Sequence, residues 1–436
     1  MSATLTSGLG IVALVVLIFA GMNIGLSMLI VGFVGVVAVS GLDPAVGVLK
    51  TAPFTTAATY SLAVIPLFVF MGELAFASGM SSGLYNAGRK WLARLPGGLC
   101  CGTLAACAGF AAICGSTAAT AATVGTVALP EMKASGYKDS LATGSLAAGG
   151  TLGILIPPST GFIVYGIISE TSIGRLFAAG IIPGLMLALL MIATVIVSVK
   201  ISPELAPASP ATTWKEKLAS IPGLMPVLVL FAFVIGGMFS GLFTATEAAG
   251  AGAFVCLLYL LARLRFTWKG FETILRNTIK TTAMIFLIVI GATVFGYFLT
   301  MTQLPASLAG AVMDSGLNKY VVVALVILMY ILLGAIMDAL AMLMLTVPIF
   351  LPVVVALGFD PVWFGVVVVL ACEVGLITPP VGLNVYVIGG IAKGVPLPTI
   401  FRGALRFVIP LLVMVVILAS APIISLWLPN LLYGVE

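Results

Sequence analysis

Two long apolar runs in this chain are each broken by a Gly-x-x-x-Pro-Pro element, at residues 153–158 (GILIPP) and 375–380 (GLITPP), 222 residues apart (375 − 153). A Pro-Pro pair removes two backbone donors and disfavours helical geometry just before it, so each run is expected to be a broken helix. The surroundings are strongly apolar: the 436 residues are 61% hydrophobic and 8% charged, the balance of a polytopic membrane protein. Unwound backbone at membrane depth persists only where it is buried in protein or lines a cavity. Two matched breaks therefore predict an all-α polytopic transporter whose binding site lies at the breaks.

At about 20 residues per span, the length allows roughly ten or eleven crossings plus segments that enter and return. The net charge of +5 reflects the orientation bias of short loops more than a partner. Histidine is absent, which removes the commonest metal ligand and proton shuttle. A coupling ion has to be held by oxygen ligands or carboxylates, and no cofactor is expected. The six cysteines, four of them Cys100, Cys101, Cys107 and Cys114, show no paired CxxC arrangement and read as small apolar packing residues. Residues 1–20 lack a basic n-region and read as a first span rather than a removed signal.

Further apolar runs fall at 24–40, 61–78, 141–168, 177–199, 224–239, 245–262, 281–300, 364–391 and 405–428. Residues 97–130 and 320–352 are also apolar but are interrupted near their middles by small or polar residues. If both ends of each interrupted stretch lie on the same side, nearly all basic residues sort to one face, leaving only Lys50, Arg175 and Lys319 opposite. By the positive-inside rule the richer face is cytoplasmic, and both termini lie in the periplasm. The two stretches are then re-entrant hairpins dipping in from opposite faces.

One offset of 222 also carries Leu95 onto Leu317, Ser116 onto Asp338, Pro130 onto Pro352, Gly136 onto Gly358 and Tyr137 onto Phe359. The expected organisation is a first repeat at 1–200 (hairpin 97–130, broken helix 141–169) and a second at 222–436 (hairpin 320–352, broken helix 363–392). A polar, Pro-rich cytoplasmic linker at 201–221 joins them. Each repeat holds an odd number of crossings, so the second copy is upside down, as alternating access requires. Residues 43–61 and 267–280 are mixed amphipathic stretches, either interfacial arms or ordinary connecting loops.

The first hairpin turns at Gly115, where Ser116, Thr117 and Thr120 offer hydroxyls suited to Na+; plain packing of small residues between membrane helices is the alternative. At the equivalent turn Asp338 replaces Ser116. A carboxylate at that depth is costly and usually functional, either as a cation ligand or as a helix cap. Gly150 and Gly153 precede Pro157 and Pro158, while Gly375 and Thr378 precede Pro379 and Pro380, completing the site wall. The half-helices restarting after the breaks turn positive N-termini toward the cavity. Ser159, Thr160 and Asn384 stand at those starts, with the four prolines, as candidates for an anionic or polar substrate. Glu73, Glu247 and Glu373 are proton-carrying candidates or residues satisfied by caps and hydroxyls. No Walker-type loop or nucleophile elbow appears.

The phrases at residues 115–137 (GSTAATAATVGTVALPEMKASGY), 147–166 (AAGGTLGILIPPSTGFIVYG), 244–253 (TATEAAGAGA), 351–365 (LPVVVALGFDPVWFG) and 375–387 (GLITPPVGLNVYV) resemble the large membrane subunit of tripartite ATP-independent periplasmic (TRAP) transporters. The resemblance implies an elevator-type permease and Na+-driven uptake of organic acids, of the dicarboxylate or sugar-acid class, across the inner membrane. It implies two partners, a periplasmic substrate-binding protein and a small four-helix membrane subunit. The small subunit is expected as a separate polypeptide, since no spans precede or follow the runs above. Carried over to this sequence, the Na+ and substrate sites fall at Gly115 to Thr117, at Gly150 to Gly153, at the Asp338 turn and from Gly375 to Pro380. Where family members commonly carry Asn two residues before the Glu or Ala preceding the second break, this chain has Ala371.

A stand-alone Na+/anion symporter of similar architecture is the alternative transporter reading. An intramembrane enzyme would need a catalytic dyad or metal cluster at membrane depth, and the sequence has no His and no paired Asp motif. Lipid is the expected surround, and nothing points to nucleic acid.

Overall fold

The computed structural model describes residues 3–207 and 212–434; it is all-helical, with no strand among the described residues. The chain opens with α1 (Ala3–Phe19), α2 (Ile24–Ser40), α3 (Leu42–Ala58), α4 (Val64–Ser78) and α5 (Met80–Leu92). Two helices, α6 (Gly98–Cys114) and α7 (Thr117–Ala134), then meet in a tight turn, and α8 (Asp139–Leu155) and α9 (Thr160–Ile168) flank the first Pro-Pro pair. The long α10 (Ile173–Ile201) completes the first half.

The second half runs through α11 (Trp214–Leu218), α12 (Ile221–Phe239), α13 (Ala245–Ala262), α14 (Trp268–Met301) and α15 (Leu304–Asp314). Another tight turn joins α16 (Lys319–Gly334) to α17 (Ala339–Ala356), and the second Pro-Pro pair lies between α18 (Pro361–Leu376) and α19 (Leu383–Ile391). The chain ends with α20 (Leu397–Ala404), α21 (Val408–Ser420) and α22 (Ile423–Tyr433).

Adding 222 to the bounds of α1, α2, α5, α6, α7, α8 and α9 lands each within four residues of α12, α13, α15, α16, α17, α18 and α19 respectively. The halves differ where a break occurs. The stretch forming α3 and α4, separated by a short 3-10 turn at Tyr60–Ala63, corresponds to the single α14, while the unbroken α10 corresponds to α20 and α21.

Burial sorts the helices into an inner and an outer set. Every residue of α8 from Leu141 and every residue of α18 from Val362 is buried, as expected of helices that are apolar or small on all faces. Large apolar side chains on α1, α12 and α21, among them Val12, Val16, Val229 and Val416, face outward, the pattern of a lipid-facing surface. Among the described residues seven helices are long and apolar enough to cross a membrane, or eight if the α8–α9 pair, bent by 40°, counts as one. This is fewer than ten or eleven, because α1, α2, α6, α16, α18 and α22 are shorter apolar helices.

Several sequence expectations change. The run at 405–428 is not one span: Ala421 is extended (φ −132, ψ 75) ahead of Pro422, the conformation imposed on a residue preceding proline. Pro130 and Pro352 do not end their hairpins, since α7 and α17 continue past them to Ala134 and Ala356. The stretch 43–61 is mostly helix α3. Residues 267–280 are the first turns of α14, capped where Gly270 N donates to Thr267 Oγ1 (3.1 Å). Helices α5 and α15 were not anticipated. Of the linker, 208–211 lie outside the described residues. The remainder includes α11, whose capping box pairs Thr213 with Glu216.

Glu247 is settled as a cap. It is exposed, and its Oε2 accepts from Thr244 N (2.8 Å) and Thr244 Oγ1 (2.9 Å) at the start of α13. The cysteines are free, all buried except the half-buried Cys114.

Candidate functional site

Each tight turn is seated on a helix break. The chain leaves α6 through Gly115 in the left-handed region (φ +63) and reaches Ser116, which caps α7 by accepting from Ala119 N at 3.5 Å. The Gly115 carbonyl accepts from both Thr160 N (3.0 Å) and Thr160 Oγ1 (2.7 Å), the first residue after the first break. Ser159 stitches that break: its hydroxyl donates to the Ile154 carbonyl before the prolines and accepts from Phe162 N (3.2 Å) after them. Both Pro157–Pro158 and Pro379–Pro380 are joined by cis peptide bonds.

The second turn repeats the scheme with different side chains. Asp338 caps α17, its Oδ2 accepting from Leu340 N at 3.0 Å, so a carboxylate does in one half what the Ser116 hydroxyl does in the other. Val381 N, just past the second prolines, donates to the Ala335 carbonyl (3.0 Å). Thr378 turns inward, its hydroxyl donating to the Val374 carbonyl at 2.5 Å.

Two glycines allow this seating. A Cβ on Gly153 would sit 2.5 Å from the Ser116 carbonyl oxygen and 2.7 Å from Thr120 Oγ1, and one on Gly375 would sit 2.5 Å from Ala335 N. Gly150 is closed in similarly by Ala121 Cβ (2.8 Å) and the Thr117 carbonyl (3.0 Å), with Asn384 Nδ2 at 3.4 Å.

The two halves also cross. Thr117 Oγ1 on the first hairpin donates to Glu373 Oε1 on α18 (3.0 Å), and Asn384 Nδ2 on α19 donates to the Ala147 carbonyl on α8 (3.2 Å). Glu373 and Asn384 are both 0% exposed. Glu373 Oε2, Asn384 Oδ1 and Thr120 Oγ1 are buried without a protein partner. Unpaired buried oxygens are costly, and hard oxygen donors of this kind suit an alkali cation. Among the described residues no three His, Cys, Asp or Glu side chains cluster as for a transition metal. In the sequence Glu373 is marked as a carboxylate two residues before the glycine of a Pro-Pro break.

In front of the tips lies a cavity of about 590 Å³, bounded by Ser116, Thr160 and Asp338 on one side and by α2, α4 and α14 on the other. The same cavity is lined by Asn23, Glu73, Asn277 and Thr281, and Asn277 Nδ2 donates to Glu73 Oε2 at 3.0 Å. Sequence reasoning missed Asn23 and Asn277, because nothing local marks a residue that faces another helix far along the chain.

The other candidates are not part of this lining. Gly115, Thr117, Thr120, Gly150, Gly153, Gly375 and Asn384 lie buried in the seam behind it, with Thr378 half-buried among them. Pro157 and Pro158 are buried, whereas Pro379 and Pro380 are exposed. The first break is roofed by α10, where a Cβ on Gly180 would meet the Leu155 carbonyl at 2.7 Å. The corresponding stretch of the second half is divided between α20 and α21.

A model of the family described as "Tripartite ATP-independent periplasmic transporter, DctM component" matches residues 11–424. The chain is similar to the C4-dicarboxylate TRAP transporter large permease protein DctM of Pseudomonas aeruginosa, at 37% identity over 86% of this chain and 88% of that protein. It is 34% identical to the sialic acid TRAP transporter large permease protein SiaM of Vibrio cholerae over 96% of this chain and 97% of that protein. The ectoine/5-hydroxyectoine TRAP transporter large permease protein UehC of Ruegeria pomeroyi is 31% identical over 86% and 87%. Among solved structures, the Alcanivorax borkumensis YdaH transporter has a like fold (TM-score 0.63, 16% identity, 89% of this chain and 90% of that one). With the helical architecture, the seated tips and these similarities together, the chain belongs to the tripartite ATP-independent periplasmic transporter family as a DctM component.

Proposed function

We propose that this chain is the large permease subunit of a secondary-active system that imports small organic acids across the inner membrane. Na+ drives the uptake, a periplasmic substrate-binding protein delivers the cargo, and a small membrane subunit completes the permease. The observation that supports this most is the pair of turns, each seated on its own helix break and both bordering one cavity. Relatives named for C4-dicarboxylate, sialic acid and ectoine support a transport role and leave the cargo open.

In this reading the halves are inverted repeats, and the hairpins with the broken helices form a body that moves as an elevator against α2, α4, α13 and α14. Na+ is held at the turns and in the seam behind them by Gly115, Ser116, Thr117, Thr120, Gly150 and Gly153 in one half, and by Asp338, Gly375 and Thr378 in the other. The cavity borders Asn23, in the loop between α1 and α2, and Asn277, one residue from Arg276. Under the positive-inside assignment that side is cytoplasmic, so the arrangement is inward-facing.

Reconstituting the chain with its small subunit in liposomes tests the proposal. Uptake that needs both a Na+ gradient and the added binding protein is expected; uptake of free acid by this chain alone would instead indicate a stand-alone symporter. Asp338→Ala and Ser116→Ala are each expected to raise the Na+ concentration for half-maximal uptake about tenfold, the loss of one charge-assisted or polar contact. An unchanged Na+ titration in both variants would remove the turns from the ion site.

A further inference from the structure

Helix α14 is longer than a crossing requires. Its 34 residues span about 50 Å at about 1.5 Å per residue, against a hydrocarbon core of about 30 Å. Residues 282–301 carry no charged side chain and are enough to cross. That leaves 268–281, with their cations, outside the core. Under the positive-inside assignment this end lies at the cytoplasmic leaflet.

Two stripes run along these first turns. Trp268, Leu275 and Ile279 stand at i, i+7 and i+11, one face of a helix, and Lys269, Arg276 and Lys280 repeat that spacing one residue further on. The apolar stripe is open: Trp268 is 78%, Leu275 39% and Ile279 66% exposed. The basic stripe is exposed as well. Leu275, Ile279, Arg276 and Lys280, with Glu272, line a shallow groove of about 430 Å³. Glu272 engages Arg276 at 2.9 Å, an exposed pair of little energetic weight. Among the described residues neither Lys269 nor Lys280 has an ion-pair partner. Just before the helix, Arg263 and Arg265 flank Leu264, which is 92% exposed. Open apolar side chains beside cations suit neither water nor hydrocarbon. They match a lipid whose headgroup is anionic and whose chains begin next to it.

We propose that an anionic phospholipid of the cytoplasmic leaflet binds this groove, its phosphate at Arg276 and Lys280 and the start of an acyl chain on Leu275 and Ile279. Arg276 and Lys280 are one helical turn apart on the same face, close enough to share one phosphate. The effect reaches the cavity through the same helix. Asn277 and Thr281, which directly follow the two cations in sequence, line the cavity, and Asn277 Nδ2 donates to Glu73 Oε2 at 3.0 Å. A headgroup on the basic stripe therefore braces the turns that carry this contact. The inference rests on the membrane orientation and holds whatever the cargo.

The test follows thermal unfolding of the purified chain with its small subunit in detergent, as phosphatidylglycerol, phosphatidylcholine or inorganic phosphate is added. Phosphatidylglycerol is expected to stabilise at about tenfold lower concentration than phosphatidylcholine, and inorganic phosphate to give no shift. Arg276→Gln combined with Lys280→Gln is expected to raise the phosphatidylglycerol concentration for half-maximal stabilisation about thirtyfold, the loss of two cations near the membrane surface. Both positions are exposed, so the lipid-free melting temperature should match the wild type. Lys200→Gln combined with Lys215→Gln removes two exposed charges from the same side of the membrane, on α10 and α11, and is expected to leave the response within about threefold. An equal rise in both double variants would mean diffuse surface charge and overturn the groove. Phosphatidylglycerol no better than phosphatidylcholine, or matched by inorganic phosphate, would overturn the lipid. Loss of the small subunit from the Arg276 and Lys280 variant would assign this face to that subunit instead.

Discussion

Replacing Gly375 with alanine is expected to reduce initial uptake at least about a hundredfold. The added methyl would lie 2.5 Å from Ala335 N and from Gly334 Cα, both backbone atoms of the second turn. No side chain can rotate away, so the turn must lift off the broken helix, at the cost of about 1 to 3 kcal/mol typical of overpacking. Lifting it also removes the Val381 N to Ala335 O bond. Gly153→Ala should behave alike, because its methyl would press on the Ser116 carbonyl and on Thr120 Oγ1. Gly390→Ala is the matched control: it is helical with nothing within 4 Å of its Cβ, and alanine favours helix by about 1 kcal/mol over glycine. Uptake assays on the three variants at equal protein density decide the matter. Wild-type rates in Gly375→Ala would mean that the turn does not need its seat during transport.

The second large effect is expected at Glu373, where alanine and glutamine should part company. Alanine leaves Thr117 Oγ1 without its 3.0 Å acceptor and opens a void in a fully buried position. An unmet buried hydroxyl costs about 1 to 3 kcal/mol, and the void adds to it. The melting temperature of Glu373→Ala should therefore fall by several degrees. Glutamine keeps an oxygen for Thr117 and fills nearly the same volume, so its stability should stay close to wild type while the charge is lost. Equal melting temperatures for the two variants would show that the link between α7 and α18 adds nothing to stability. If glutamine is stable and transport-dead, the carboxylate acts through its charge.

The helical class, the breaks and the turns were legible because each depends on a few neighbouring residues. Proline's missing donor acts on the residue before it and on the helical turn behind it, which is why both Pro-Pro pairs mark a gap between helices. Ser116 and Asp338 were readable as matched positions because one offset carries each onto the other. Less legible was whether apolar runs would stay continuous. The run at 405–428 contains Pro422, which splits α21 from α22, yet Pro130 and Pro352 sit inside unbroken helices. Composition alone does not tell a proline whose missing bond is tolerated from one that ends a helix.

The sequence by itself determined that this is a helical membrane chain with two interrupted helices, because hydrophobic burial and proline stereochemistry act locally and repeat at a fixed spacing. Only the tertiary structure decided which oxygens share the seam and which side chains face the cavity. Thr117 meets Glu373 across 256 residues, Asn384 meets Ala147 across 237, and Glu73 meets Asn277 across 204. Contacts at such separations carry no local signature. They arise when remote helices pack together, and in that way Glu73 on α4 comes to meet Asn277 on α14 at the cavity wall.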